Sequence, residues 1–233
     1  MWCIGTINGD YLAKMEDVLD LYSQPQQQGV TRLCFDERPC QLIDHVLTPI
    51  PAKPNSTRKE HQEYQRNGVC NVLLAYNIDT GQRHTKVTTT KTKSDYADFM
   101  QWVVKEHYAD VQKIHLVQDN LGTHSYGAFY ENLPFETARQ LKSKLEFHFT
   151  PKHGSWLNIG EIEFSALSRQ CLDRGIGSQS FLESEVLIWE RRRNEKAIKV
   201  NWSFTTDKAR VTLKNRYGEG CDSNLRLVIL SLK

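Results

Sequence analysis

Two apolar stretches of this chain each run into an aspartate: Thr31-Arg32-Leu33-Cys34-Phe35-Asp36 and Ile114-His115-Leu116-Val117-Gln118-Asp119. A carboxylate at the end of a buried strand needs a cationic partner, because an unpaired charge beside an apolar layer is costly. Divalent metal is the natural partner, carboxylate oxygens being the hard ligands that Mg²⁺ prefers. A third acid, Glu161, follows in a helical stretch, and three carboxylates so placed suit a two-metal phosphoryl-transfer centre. In such a centre Asp36 would bridge two Mg²⁺ ions, with Mn²⁺ as a substitute. Asp119 would hold one ion, and Glu161 would hold the other and could take a proton from the attacking water or 3′-hydroxyl. Glu163 is the rival third acid, but two positions along a helix point it roughly 200° away.

The elements that must position these acids follow from periodicity. Residues 11–22 place Leu12, Met15, Val18, Leu19 and Tyr22 on one helical face. A Ser/Pro/Gln/Gly stretch then leads into the strand that ends at Asp36. Pro49, Pro51, Pro54 and Asn55-Ser56 interrupt every pattern, so residues 38–67 read as extended or irregular. Val69 to Asn77 and Gln82 to Thr90 flank Asp79-Thr80-Gly81, a hairpin signal. A helix capped by Ser94, the Asp119 strand, a helix beginning near Ser125, the strand Leu145-Glu146-Phe147-His148-Phe149 and a helix over 156–171 complete the order. In that last helix Asn158, Glu161, Ser165 and Ser168 form a polar stripe, while Phe164, Leu167 and Cys171 form an apolar one. This is the order of an α/β, ribonuclease H-like layout: a five-stranded mixed sheet flanked by helices. The two aspartate strands would lie parallel, so that both acids emerge at one sheet edge.

Composition narrows the class. With 233 residues, 39% hydrophobic and 25% charged, the chain can bury one substantial core. No apolar run approaches the roughly 20 residues that span a bilayer, and the first residues lack a secretory pattern. The six cysteines include no C-x-x-C pair, which fits a reducing cytoplasm, and neither a membrane nor a small-molecule cofactor is expected. The net charge is only +2, yet residues 51–93 and 189–216 are both strongly basic. Two basic tracts interleaved with His61, Tyr64 and His84, and with Trp189, Trp202, Phe204 and Tyr217, point to a polyanion such as DNA. Trp102, Trp189 and Trp202 also suit core positions.

Four segments in order resemble the transposases of the insertion-sequence six-thirty family, bacterial relatives of the mariner elements. They are Cys34-Phe35-Asp36-Glu37-Arg38-Pro39; Val117-Gln118-Asp119-Asn120-Leu121-Gly122-Thr123-His124; Phe149-Thr150-Pro151-Lys152-His153-Gly154-Ser155-Trp156-Leu157-Asn158 with Glu161 after it; and Trp202-Ser203-Phe204-Thr205-Thr206-Asp207-Lys208-Ala209-Arg210. The resemblance implies a DDE-type catalytic domain over residues 30–217, with Asp36, Asp119 and Glu161 as its acids. It also implies hydrolysis at the ends of a mobile element, then 3′-hydroxyl attack on target DNA, at a TA dinucleotide as in mariner-like elements. Partners would be element-end and target DNA and a second copy in a homodimer, in a bacterial, nucleoid-associated setting.

Family members carry an N-terminal helix-turn-helix, which this chain is expected to lack. Residues 1–29 then read as a connector with a short helix, and 218–233 as a tail of no assigned role. Lys152, His153, Trp156 and His124 are the candidate DNA contacts: the loop of Lys152, His153 and Trp156 would position a phosphate and a flipped or terminal base, and His124 would contact the scissile phosphate. A histidine opening a helix equally suits capping or packing, and Glu37 and Asn120 suit support of the metal ligands. Two other readings use the same residues: a ribonuclease H-like nuclease that cuts without joining, and an inactive DNA-binding remnant of a transposase.

Overall fold

The computed structural model describes residues 7–45 and 63–213, with Pro54 and Thr57. Helix α1 (Gly9–Ser23) leads into the long strand β1 (Val30–His45), followed by β2 (Tyr64–Asn77) and β3 (Arg83–Thr88). Then come α2 (Lys93–His107), β4 (Lys113–Gln118), α3 (Tyr126–Asn132), α4 (Phe135–Lys144) and β5 (Leu145–Phe149). A 3₁₀ turn (Ser155–Leu157) precedes α5 (Ile159–Gln170), α6 (Gln179–Glu195) and α7 (Thr206–Thr212). The sheet order is β3-β2-β1-β4-β5; β1 and β2, and β2 and β3, are antiparallel, whereas β4 runs parallel to both β1 and β5. This is the ribonuclease H-like arrangement expected from the sequence.

Helices cover both faces, and the central strands are therefore apolar on both. Leu33, Phe35, Leu73, Ala75, Ile114 and Leu116 pack under α2, α3 and α4. Cys34, Tyr76 and Val117 on the reverse face pack against Met15, Val18 and Leu19 of α1 and Ala209 of α7. Farther along β1 and β2, Leu42, Val72 and Leu74 meet Phe164 and Leu167 of α5 and Leu182, Val186 and Trp189 of α6. Helix α1 thus belongs to the core. Its buried face includes Tyr11 and Leu21 besides Met15, Val18 and Leu19, while Leu12 and Tyr22 are half-buried and the Tyr22 hydroxyl donates to Leu157 O at 2.8 Å.

The structure corrects several local readings. Asp36 does not end its strand: β1 continues to His45, paired with β2, past Pro39. Beyond Cys34, β1 is no longer paired with β4, so a residue without an N–H is tolerated there. Residues 46–53 and 58–62 lie outside the described residues, as does the tail 218–233. Helix α2 is capped by Thr92, not Ser94; Thr92 accepts from Asp95 N and the Asp95 side chain returns the bond, a capping box. The helix opening after Ser125 is two helices, because Pro134 forces Leu133 to be extended and starts α4. The hairpin turn holds as expected: Asn77 Oδ1 accepts from Asp79 N and Thr80 N, and Gly81 takes φ 76°. Among the described residues no helix is long and apolar enough to cross a membrane, and Cys34, Cys40, Cys70 and Cys171 are free thiols.

Candidate metal centre

Strands β1 and β4 pair in parallel register as far as Cys34 opposite Val117. Carried on by two residues, that register sets Asp36 level with Asp119, at the edge where the pairing stops. Local chemistry then brings α5 to the same edge. Asn158 caps the helix by accepting from Gly160 N at 3.0 Å, and its Nδ2 donates to Phe35 O at 2.8 Å, tying the helix start to the strand beside Asp36. Contact is so close that a Cβ on Gly160 would lie 2.9 Å from the Asp36 Cβ. Glu161 therefore occupies the first helical turn next to Asp36. Burial raises the Asp36 carboxyl to about 8, with further upward pushes from the Glu161 and Asp119 charges. A buried acid pushed up by two neighbouring carboxylate charges marks a site that favours a cation.

Glu163 has a different place. It is fully buried, accepting from Arg83 Nε at 2.5 Å, Arg83 Nη2 at 2.9 Å and Arg193 Nη2 at 3.2 Å. The half-turn offset expected from the sequence separates a core ion pair from an acid at the sheet edge.

His124 is 2% exposed, its ring packed edge-on against Phe35 and tilted against Tyr96. Its Nδ1 meets Asp119 Oδ1 at 2.6 Å, and its Nε2 lies 3.7 Å from Glu37 Oε2. Burial by itself would lower the imidazole, yet the Asp119 and Glu37 carboxylates raise it to about 9. Burial raises the Asp119 carboxyl in turn, but the His124 hydrogen bond brings the balance below the ordinary range. His124 thus lies buried against Asp119 and Glu37, at the acidic edge where a contact to the scissile phosphate is expected of it. Lys91 is a residue the motifs did not single out. Its Nζ stands 3.5 Å from Glu37 Oε1, half exposed, and its charge helps lower Asp119.

Two observations test whether a divalent ion fits. The bare Gly160 lets the first turn of α5 lie against Asp36, and the Glu161 and Asp119 charges both act on that buried carboxyl, a crowding of negative charge that a cation relieves. The donor set is all carboxylate, as Mg²⁺ or Mn²⁺ requires. The residues fit the group.

The remaining sequence candidates divide. Lys152 and His153 are exposed in the turn before α5, where His153 takes φ 63°. Gly154 closes that turn, N–H to Pro151 O at 2.8 Å, so tightly that a Cβ there would lie 2.5 Å from Pro151 Cγ. Trp156 is half-buried, packed edge-on against Phe204 at 5.6 Å. The basic tracts are thinner than their counts suggest. Arg83 and Arg193 pair with Glu163, Lys93 with Glu131, and Lys199 Nζ donates to Asp79 O. Of the interleaved aromatics, His84, Trp189 and Phe204 are buried and Trp202 is half-buried, with its Nε1 on Phe204 O, whereas Tyr64 is exposed. His61 and Tyr217 lie outside the described residues. Arg66, Lys86, Lys91, Arg191, Arg192 and Lys196 remain as exposed cations.

Solved structures share this architecture. The Mos1 mariner paired end complex with Mn matches with TM-score 0.56 at 11% identity over 84% of this chain, which spans 61% of that one. A pre-cleavage Mos1 transpososome matches with TM-score 0.56 at 11% identity, over 87% of this chain and 67% of that one. The catalytic domain of Mos1 mariner transposase matches with TM-score 0.52 at 10% identity, over 84% of this chain and 96% of that domain. At such identities the likeness is one of fold. No curated protein sequence matches the chain. The family model described as DDE superfamily endonuclease matches residues 31–183, from β1 to the start of α6, and so takes in Asp36, Asp119 and Glu161. The chain belongs to the DDE superfamily endonucleases.

Proposed function

We propose that this chain is the catalytic domain of a DNA transposase that hydrolyses phosphodiesters at element ends and joins the freed 3′-hydroxyl to target DNA. The observation that carries the reading is the level placement of Asp36 and Asp119, with Glu161 beside Asp36 and both neighbouring charges pushing the buried Asp36 carboxyl up. The solved relatives include Mos1 complexes with Mn and with Mg and a strand transfer complex. Asp36, Asp119 and Glu161 would hold two such ions here. When bound, divalent metal stabilises both the attacking and the leaving oxygen of an in-line displacement.

The chain's own groups supply the rest. His124 orients Asp119 by holding its Oδ1. Glu161, in the first turn of α5, can accept the proton of the nucleophile. Lys91, beside Glu37, and the exposed Lys152 would offer positive charge for the scissile and flanking phosphates, with His153 as a further polar contact. Trp156, half-buried, would stack on a terminal base.

The test is Asp119→Asn, which removes one ligand charge with little change of volume. Mg²⁺-dependent cleavage of an element-end duplex is expected to fall at least 100-fold with DNA affinity nearly unchanged, and the melting temperature should fall at neutral pH because His124 loses its counter-charge. Cleavage near the wild-type rate would remove Asp119 from the mechanism. Cleavage without any joined product when target DNA is supplied would favour the nuclease reading.

A further inference from the structure

A second ligand cluster lies on the β4–β5 edge, on the face covered by α1. His115 and Glu146 are register partners on the two parallel strands, and His148, two residues on, projects from the same face of β5. The register thereby gathers two imidazoles and a carboxylate. His115 Nδ1 and His148 Nε2 are 2.9 Å apart, and Glu146 Oε1 stands 4.0 Å from the first and 3.9 Å from the second. Among the described residues this is the one group of three such ligand atoms drawn within 4.8 Å of each other. It is separate from the acids already described, since four strand residues carry the chain about 13 Å from His115 to Asp119.

The surrounding contacts set the protonation. His148 Nδ1 lies 2.8 Å from Asp17 Oδ2 on α1, so that nitrogen carries the proton donated to the carboxylate and Nε2 presents a lone pair. Burial, together with the nearby His148, holds His115 below the ordinary histidine range, leaving a neutral ring at pH 7. Lys113 Nζ takes Glu146 Oε2 at 3.2 Å, leaving Oε1 toward the histidines. A proton shared between the imidazoles would account for their approach. It would not account for a carboxylate oxygen nearly equidistant from both nitrogens and too far for a hydrogen bond to either. An ion with bonds of about 2.0–2.1 Å in tetrahedral geometry spaces its ligands about 3.3 Å apart, between the short and the long separations seen here.

We propose that His115 Nδ1, His148 Nε2 and Glu146 Oε1 form a site for a zinc-class transition metal, with Asp17 as the carboxylate that orients His148. Imidazole selects Zn²⁺, Co²⁺ or Ni²⁺ over Mg²⁺, so the site is chemically distinct from the all-carboxylate centre. A carboxylate behind a ligating histidine is the usual support of such sites. Because Asp17 belongs to α1, the bound ion would fasten that helix to the sheet edge.

The experiment titrates the purified chain with Co²⁺, following its visible absorption, and with Zn²⁺ by calorimetry, both in a large excess of Mg²⁺ to saturate the three acids. One equivalent is expected in the wild type and in Asp119→Asn. Glu146→Gln, at an exposed position that folding does not depend on, and His115→Gln should each weaken it tenfold or more, and Asp17→Asn by about 10–100-fold. Zn²⁺ should also raise the melting temperature of the wild type but not of Glu146→Gln. No bound equivalent in the wild type, or binding unchanged in Glu146→Gln and His115→Gln, would overturn the site, as would loss in Asp119→Asn alone.

Discussion

Glu161 and Glu163 are two residues apart and chemically alike, yet the structure gives them opposite surroundings, and a pair of isosteric substitutions separates them. Glu163→Gln leaves Arg83 fully buried without its counter-charge, and breaking a buried pair on one side typically costs about 3–5 kcal/mol. A large fall in melting temperature is expected, with activity lost only through unfolding and recovered at low temperature. Glu161→Gln should leave the melting temperature nearly unchanged and abolish cleavage at every temperature. The reverse pattern in thermal melts and cleavage assays would hand the catalytic role to Glu163. The sequence separated the two by helical angle alone. It could not reveal what Glu163 does, because its partners come from β3 and α6, 80 and 30 residues away. His124 escaped for a related reason: a histidine after Gly122-Thr123 reads as a cap, and only the fold shows Phe35 and Tyr96 closing over its ring.

At the scale of elements, the catalytic edge exists because one helix is pinned to one strand. Asn158 holds α5 to Phe35 O, and the missing side chain at Gly160 lets the helix lie against Asp36. Gly160→Ala would place a Cβ 2.9 Å from the Asp36 Cβ, closer than real contacts permit, so helix or strand must shift by several tenths of an ångström. Alanine is also the better helix former, by about 1 kcal/mol. Stability is therefore expected to change little while cleavage falls at least tenfold, since catalytic groups tolerate little misplacement. Unchanged cleavage would show that the α5 contact does not set the site. The strand order was legible because apolar runs bounded by turn residues are strong signals, and the parallel pairing of β1 with β4 followed from it. The strand ends were not. Asp36 looked terminal because polar residues and Pro39 follow, but β1 runs on through one-sided pairing with β2, which asks for no apolar run on both faces. Helix α6 went unread because it is mostly polar, with only Leu182, Val186 and Trp189 buried.

The whole molecule carries this site as a stored electrostatic conflict, and its stability should report the conflict through pH. Asp36 is raised to about 8 in the folded chain, so between about pH 4 and 8 the native state holds a proton that the unfolded chain releases. Its contribution therefore declines as pH rises through that range. His124, raised to about 9, contributes stability that is complete below about 6.5 and lost as pH climbs through 9. Asp119, held below its ordinary value, works in the other direction but only under acid conditions. His84, His107 and His115 are all lowered, His84 to about 3, so their titration is finished by neutral pH. The interval from pH 7 to 9 is then governed by the acidic edge, joined toward pH 9 by Cys34, Cys40, Cys70 and Cys171, whose thiols burial raises and which lower stability in the same direction. Metal-free protein is expected to lose several degrees of melting temperature across it, given about 2–4 °C per kcal/mol for a domain of this size. Mg²⁺ is expected to oppose the trend, because a metal needs Asp36 ionised and so binds more tightly as that proton leaves. Asp36→Asn should flatten the metal-free decline to the share of His124 and the buried thiols and remove most of the Mg²⁺ response. Calorimetric melts at pH 7, 8 and 9, with EDTA and with Mg²⁺, decide it: a metal-free melting temperature that is level or rising over that interval would mean that Asp36 and His124 do not hold their protons as the structure indicates.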